Sequence, residues 1–287
     1  MLNFILSTES AADLTTEQAK ELSVTMAPMT FYINNEEHFS NTTPLTTKDI
    51  CERMRNGEST KTTQLNEAEI EEYLTQLLTL GKDILHISFS GAMSGTCSNF
   101  KRVAEQLNQS HANKIYVVDS LCQCCGLGLL LSIVSKKAEF ANFSAAEAYE
   151  FTEAIKQSIG HFFIVDDLKY LARGGRISNS TALIGNIIKL KPVLHLDNTG
   201  TITQMQKVIG RRKSISTLVD TFKNNYNGES KEVYISEADC IDDANDLKNK
   251  LLEINPSLSI VINPLGPIIV SHAGPGTMAL FFTSHKR

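Results

Sequence analysis

Ser88-Phe89-Ser90-Gly91-Ala92-Met93-Ser94-Gly95-Thr96 is a serine- and glycine-rich run set between two apolar segments. Before it, Ile84-Leu85-His86-Ile87 has the character of a short buried strand. After it, Phe100, Val103, Ala104 and Leu107 recur at the spacing of one helix face. A strand, a tight glycine turn and a helix in succession aim backbone N–H groups and small hydroxyls beyond the strand end. The positive end of the helix dipole favours an anion there, a phosphate or a carboxylate. Serine and glycine also build ordinary turns, so the run alone leaves both readings open.

Outward from this run, strands and helices alternate. Met1 to Ser7 reads as a first strand, and the run from Ser7 to Leu14 as a polar turn. Thr15 with Gln18, Thr46 with Asp49 and Ser144 with Glu147 have the spacing of capping boxes. Met26 to Ile33 has strand character, Lys61 to Asn66 reads as a polar loop, and Ile70, Tyr73, Leu74, Leu77 and Leu78 form a helical stripe. Ile115 to Val118 predicts another buried strand ending at Asp119-Ser120, then an apolar helix and an amphipathic one reaching about Ile159. The pattern predicts a parallel, doubly wound α/β domain over residues 1–158, with ligands at the carboxyl ends of its strands. Residues 159–287 predict a second, α+β domain. It has a strand at His161–Val165, a short helix from Asp167, an apolar helix at Ala182–Ile188 and a hairpin about Asp197-Asn198-Thr199-Gly200. His272 falls in a loop of small residues near the end.

Composition narrows the function. The chain has 287 residues, 42% hydrophobic and 21% charged, which is a globular balance. A net charge of −5 without a basic block argues against a nucleic-acid footprint. No apolar run approaches the ~18 residues of a membrane span, and the first residues lack the basic lead of a signal peptide. A cytoplasmic protein without stable membrane insertion is expected. Six cysteines include Cys122, Cys124 and Cys125, but no second Cys/His pair stands at zinc-site spacing, so no metal and no cofactor are expected.

Phosphate-loop and dinucleotide fingerprints are missing, as is the glycine pattern of a nucleophile elbow about Ser90. A serine hydrolase built from Ser94 and His272 remains an alternative, and so does a binding module for another small anion. Arg176, after two glycines, is placed either to pair with a carboxylate or to tie the hinge to a carbonyl.

An ordered set of motifs spans the chain: Ser7-Thr8-x-Ser10-x-x-Asp13-Leu14, Thr62-Thr63-Gln64, Ser90-Gly91-x-x-Ser94-Gly95-Thr96, Asp119-Ser120, Gly174-Gly175-Arg176-Ile177, Lys191-Pro192 and His272-x-Gly274-x-Gly276. With these motifs in this order the chain resembles the DegV family, which includes the fatty-acid-binding subunits of the bacterial fatty acid kinase. The resemblance implies two α/β domains with a long-chain fatty acid between them, its carboxylate held by Thr62, Ser94 with Gly95, and His272, with Arg176 close by. It further implies a carrier that is not itself an enzyme and that presents the acid to a separate kinase subunit. The sequence departs from the family at Glu9, usually aspartate, at Thr63 and Leu65 in the Thr-Ser-Gln-Pro segment, and at Ile209. There the family has the arginine of a Lys-x-Arg-Thr docking region. Lys207, Arg211 and Arg212, with Lys213, form the densest basic group and are the expected docking cations.

Overall fold

The computed structural model describes residues 1–177 and 191–286. β1 (Ile5–Glu9) passes through a 3-10 turn to α1 (Thr16–Glu21) and β2 (Val24–Ala27). β3 (Thr30–Ile33), β4 (Glu36–Phe39), α2 (Thr47–Arg55), β5 (Thr60–Thr62) and α3 (Glu67–Leu78) follow. β6 (Ile84–Ser88), α4 (Thr96–Ser110), β7 (Ile115–Asp119), α5 (Cys124–Ala141) and α6 (Ala145–Ile155) complete the first half. Each of the three capping boxes read from sequence forms, with the N-cap side chain accepting from the N3 amide and the N3 side chain bonding back. Ile70, Leu74, Leu77 and Leu78 of α3 are buried, as are Phe100, Val103, Ala104 and Leu107 of α4.

The first sheet is four-stranded, ordered β2-β1-β6-β7, and parallel throughout. The chain steps from β1 outward to β2, then returns to the other side of β1 for β6. The strand order therefore reverses between β1 and β6, and the carboxyl ends of those two strands border the crevice where such sheets bind ligands. Glu9 ties the two ends together. Its buried carboxylate accepts from Ser88 Oγ (2.5 Å) and Phe89 N–H (2.9 Å).

Several local expectations change. Met26–Ile33 is not one strand: Pro28, which cannot donate to a ladder, separates β2 from β3. β3 then pairs antiparallel with β4 and β5 in a small separate sheet. Its hairpin turns on Asn34 and Asn35, both at positive φ (49° and 70°), the backbone that a two-residue turn requires. The expected loop at Lys61–Asn66 thus begins inside a strand, and the expected turn at Ser7–Leu14 is strand through Glu9. α6 stops at Ile155, and a 3-10 turn carries the chain to Ser158.

In the second half β8 (Ile159–Ile164) leads to α7 (Leu168–Arg173), capped by Asp167. The hairpin β9 (Val193–Leu196) and β10 (Ile202–Gln206) forms about Asp197–Gly200 as read. α8 (Arg211–Asn225), β11 (Glu232–Glu237), α9 (Ile241–Ile254), β12 (Ser259–Pro264), α10 (Pro267–Ala273) and β13 (Met278–Thr283) follow. The six strands order β10-β9-β8-β13-β11-β12, antiparallel except for β11–β12. The apolar helix expected at Ala182–Ile188 lies outside the described residues. His272 is not in a loop. Pro267 opens α10 in its first turn and Gly274, at φ 81°, closes it just after His272.

α5 joins the halves by packing on β8, β11 and β13 as well as on α6. Gly126 permits that approach, since a Cβ there would stand 2.2 Å from His161 Nε2. One apolar core consequently runs from Leu6 and Ile87 through Leu127 and Leu131 to Phe163 and Phe281. A second core, including Phe222, Leu247 and Phe282, fills the other face of the six-stranded sheet under α8 and α9.

Candidate functional site

A cavity of about 450 Å³ opens at the carboxyl rim of the parallel sheet, within the size range of small-molecule sites. Met29, Phe89, Phe163, Leu171, Ile202 and Ile268 supply apolar wall, while Thr62, Ser94, Gly95, Thr96, Arg176 and His272 supply polar groups. Both halves of the chain contribute to it.

The polar groups are held by three converging pieces. β5 ends at Thr62, and its Thr60 Oγ1 donates to Ser271 C=O of α10 (2.8 Å), fixing strand against helix. Two residues further along the strand and one along the helix, Thr62 Oγ1 and His272 Nε2 lie 2.8 Å apart. The segment after Thr62 is stitched to the glycine turn: Leu65 N–H donates to Thr96 Oγ1 (3.3 Å), and Asn99 Nδ2 donates to Leu65 C=O (2.7 Å). Ser94 Oγ donates to Thr96 Oγ1 (3.0 Å). Gly95 allows Gln64 to close over the turn, because a Cβ would meet Gln64 Oε1 at 2.2 Å. Gly95 also leaves the start of α4 without a side-chain cap, so the positive end of a 15-residue helix lies at the cavity.

The third piece is the end of α7. Gly175, at φ 73°, turns the chain so that Arg176 N–H donates to Leu171 C=O (2.9 Å). The half-buried guanidinium donates to Gly174 C=O, tying the hinge as one of the two sequence readings had it. No carboxylate of the described residues lies within 4.0 Å of it, and burial draws its pKa below the ordinary arginine value. His272 packs on Gly174, where a Cβ would come within 2.4 Å of Nδ1. Burial, and then the Arg176 cation, pull the His272 pKa down to about 4, so the ring is neutral at neutral pH. The site therefore combines a hydroxyl pair, a neutral imidazole, a helix N-terminus and a cation that no carboxylate of the described residues compensates. This arrangement can hold an anion.

All five residues expected to bind ligand, Thr62, Ser94, Gly95, Arg176 and His272, line this one cavity. The hydroxyl paired with His272 is Thr62 and not Ser94, and His272 Nδ1 faces Gly174 instead of an orienting carboxylate. That is not the geometry of a serine–histidine nucleophile. Lys207, Arg211 and Arg212 are elsewhere. Lys207 and Arg212 are exposed, but Arg211 is half-buried: Nε donates to Asp243 Oδ2 (2.7 Å), Nη1 to Gly276 C=O (2.6 Å), and Asp166 stands 3.5 Å away. Sequence reading missed Gln123 and Cys124, which line the cavity just beyond β7. The rule that ligands gather at strand ends points to that loop, but the cysteines beside it drew a metal question instead. Among the described residues no group of three or more His, Cys, Asp or Glu side chains is assembled for a metal ion. No helix among them is long and apolar enough to cross a membrane.

A family model described as an uncharacterised protein of the DegV family matches residues 4–285. A DegV domain-containing protein of Clostridium perfringens is 33% identical over 285 residues, covering 98% of each chain. Protein DegV of Bacillus subtilis is 25% identical over 283 residues, 97% of this chain and 98% of that one. Among solved structures, a fatty-acid-binding DegV family protein of Thermus thermophilus superposes with a TM-score of 0.87 at 23% identity, covering 99% of this chain and 100% of that one. The Fatty Acid Kinase (Fak) B3 protein of Streptococcus pneumoniae, loaded with linoleic acid, gives 0.84 at 20% identity over 99% of both chains. These structural likenesses establish the shared two-domain fold.

Proposed function

Because this chain belongs to the DegV family, we propose that it is a bacterial cytoplasmic carrier that binds one long-chain fatty acid and presents its carboxylate to a separate kinase subunit for acyl-phosphate formation. The observation that carries this reading is Arg176, a half-buried cation without a carboxylate partner among the described residues. It shares its cavity with Thr62, Ser94, Gly95 and the neutral His272. An acid's carboxylate supplies the missing charge and accepts from the hydroxyls, and the apolar wall takes the chain. With the division at 158/159, the acid lies between the two domains.

Magnitudes divide the labour. Burying a ~16-carbon chain contributes about 11 kcal/mol gross at ~0.8 kcal/mol per methylene. Each hydrogen bond to the charged head adds about 1.5–3 kcal/mol, and association costs several kcal/mol. The chain supplies affinity, while the head group sets register and leaves the carboxylate where a second protein can reach it. Lys207 and Arg212 remain exposed, as does Lys213, and are available to steer that protein in place of the arginine absent at Ile209 and of the engaged Arg211.

Mass spectrometry of ligand released from the purified, denatured protein tests the reading. One long-chain fatty acid per chain is expected. No acyl chain, together with no uptake of added oleate or palmitate, overturns it. Ester hydrolysis that vanishes in Ser94→Ala would install the hydrolase alternative.

A further inference from the structure

Among the described residues, one buried polar group on the cavity wall is left unanswered by a plain hydrocarbon chain. Glu9, Thr96, Gln123 and Thr277 are the polar side chains on the wall that are fully or nearly fully buried. Glu9 accepts from Ser88 and Phe89, Thr96 accepts from Ser94 and Leu65, and Thr277 Oγ1 donates to Ala273 C=O (2.9 Å). Gln123 is only 7% exposed, yet its side-chain amide has no hydrogen-bond partner among the described residues. It does not cap α5, at whose start it stands.

Its position is set by the backbone and not by the amide. Gln123 N–H donates to His161 Nε2 of β8 (3.2 Å), and the left-handed Cys124 (φ 49°) turns the chain into α5. None of the hydrogen bonds that join Thr62, His272, Ser94 and Thr96 includes it. An amide offers two donors and an acceptor. Covering it with methylenes strips its water and returns nothing. The apolar wall residues Phe163, Leu171 and Ile268 have no such demand.

We propose that the acyl chain bound here carries a hydrogen-bonding oxygen, a hydroxyl or a keto group, and that this oxygen pairs with the Gln123 amide. The proposal rests on the fatty-acid reading and names the class of fatty acid. Thr62, Ser94 and Arg176 answer the carboxylate, and Gln123 answers an oxygen further along the chain.

The experiment uses delipidated protein and displacement of a fluorescent fatty acid. The competitors are stearate and a panel of hydroxy- and keto-stearates with the oxygen at successive carbons. At least one oxygenated acid should bind about tenfold tighter than stearate, the factor associated with one unsatisfied buried hydrogen-bonding group. Gln123→Leu should abolish that advantage and tighten stearate itself. If stearate binds as well as every oxygenated acid, or if the advantage survives in Gln123→Leu, the proposal is overturned while the fatty-acid reading stands. If no acid of either kind binds, both fall.

Discussion

Arg176 and Arg211 are both half-buried arginines just beyond a glycine, and they have opposite surroundings. Arg211 sits between Asp243 and Asp166 and also holds Gly276 C=O, so its charge is used inside the fold. Arg176 has a backbone carbonyl and no carboxylate among the described residues. Burial without a counter-ion is costly, and a cavity beside the cation is where a ligand anion offsets that cost. Identical side chains become structural or receptive according to whether the chain itself supplies the carboxylate.

The largest break in this contrast comes from removing the cations. Arg176→Met should weaken fatty-acid binding by roughly a hundredfold, about 3 kcal/mol for a charge-assisted contact, with little loss of stability. Equal affinity, read by displacement of a fluorescent acid, would deny Arg176 its role as counter-ion. Arg211→Met should do the reverse. It should leave binding by the folded protein intact and lower unfolding stability by about 1–3 kcal/mol, because Asp243 loses its partner.

His272 sharpens the contrast through pH. Its pKa is about 4 in the folded protein against an ordinary value near 6.5. Between those values the unfolded chain binds a proton that the folded one refuses. Stability is therefore unaffected by this group above about pH 6.5 and falls as pH drops toward 4, by roughly 3 kcal/mol in all. Urea unfolding across that window should show the decline flattened in His272→Gln. Parallel profiles for the two proteins would refute the assignment.

Smaller effects belong to the hydroxyls. Thr62→Ala and Ser94→Ala should each weaken binding about fivefold, near 1 kcal/mol, and neither should unfold the protein. Smallest of all in binding is the exposed pair. Lys207→Glu combined with Arg212→Glu should leave fatty-acid affinity unchanged while slowing acyl-phosphate formation with the kinase subunit at low salt, an effect that added salt erases. Coupling unchanged at low salt would move the docking surface elsewhere.

What the sequence by itself determined is local or periodic. The capping boxes at Thr15, Thr46 and Ser144 depend on groups three residues apart, and the faces of α3 and α4 on a 3.6-residue repeat, so neither needs a distant partner. The ordered motifs located Thr62, Ser94, Gly95, Arg176 and His272. The Pro267 and Gly274 signals bracketing His272 were present too, but a helix of seven residues gives too little periodicity to outweigh the loop-like run of small residues around it. Only the tertiary structure decided matters that depend on distant pairing. Thr60–Thr62 is a strand because β3, nearly thirty residues earlier, offers it an edge. Arg211 is spent because Asp243 and Asp166 arrive from other elements. The Gln123 amide faces the cavity without a partner among the described residues because β7 ends at the cavity rim. Hydrogen bonds and ion pairs are satisfied by whatever folding brings within about 3 Å, and sequence separation carries little information about that distance.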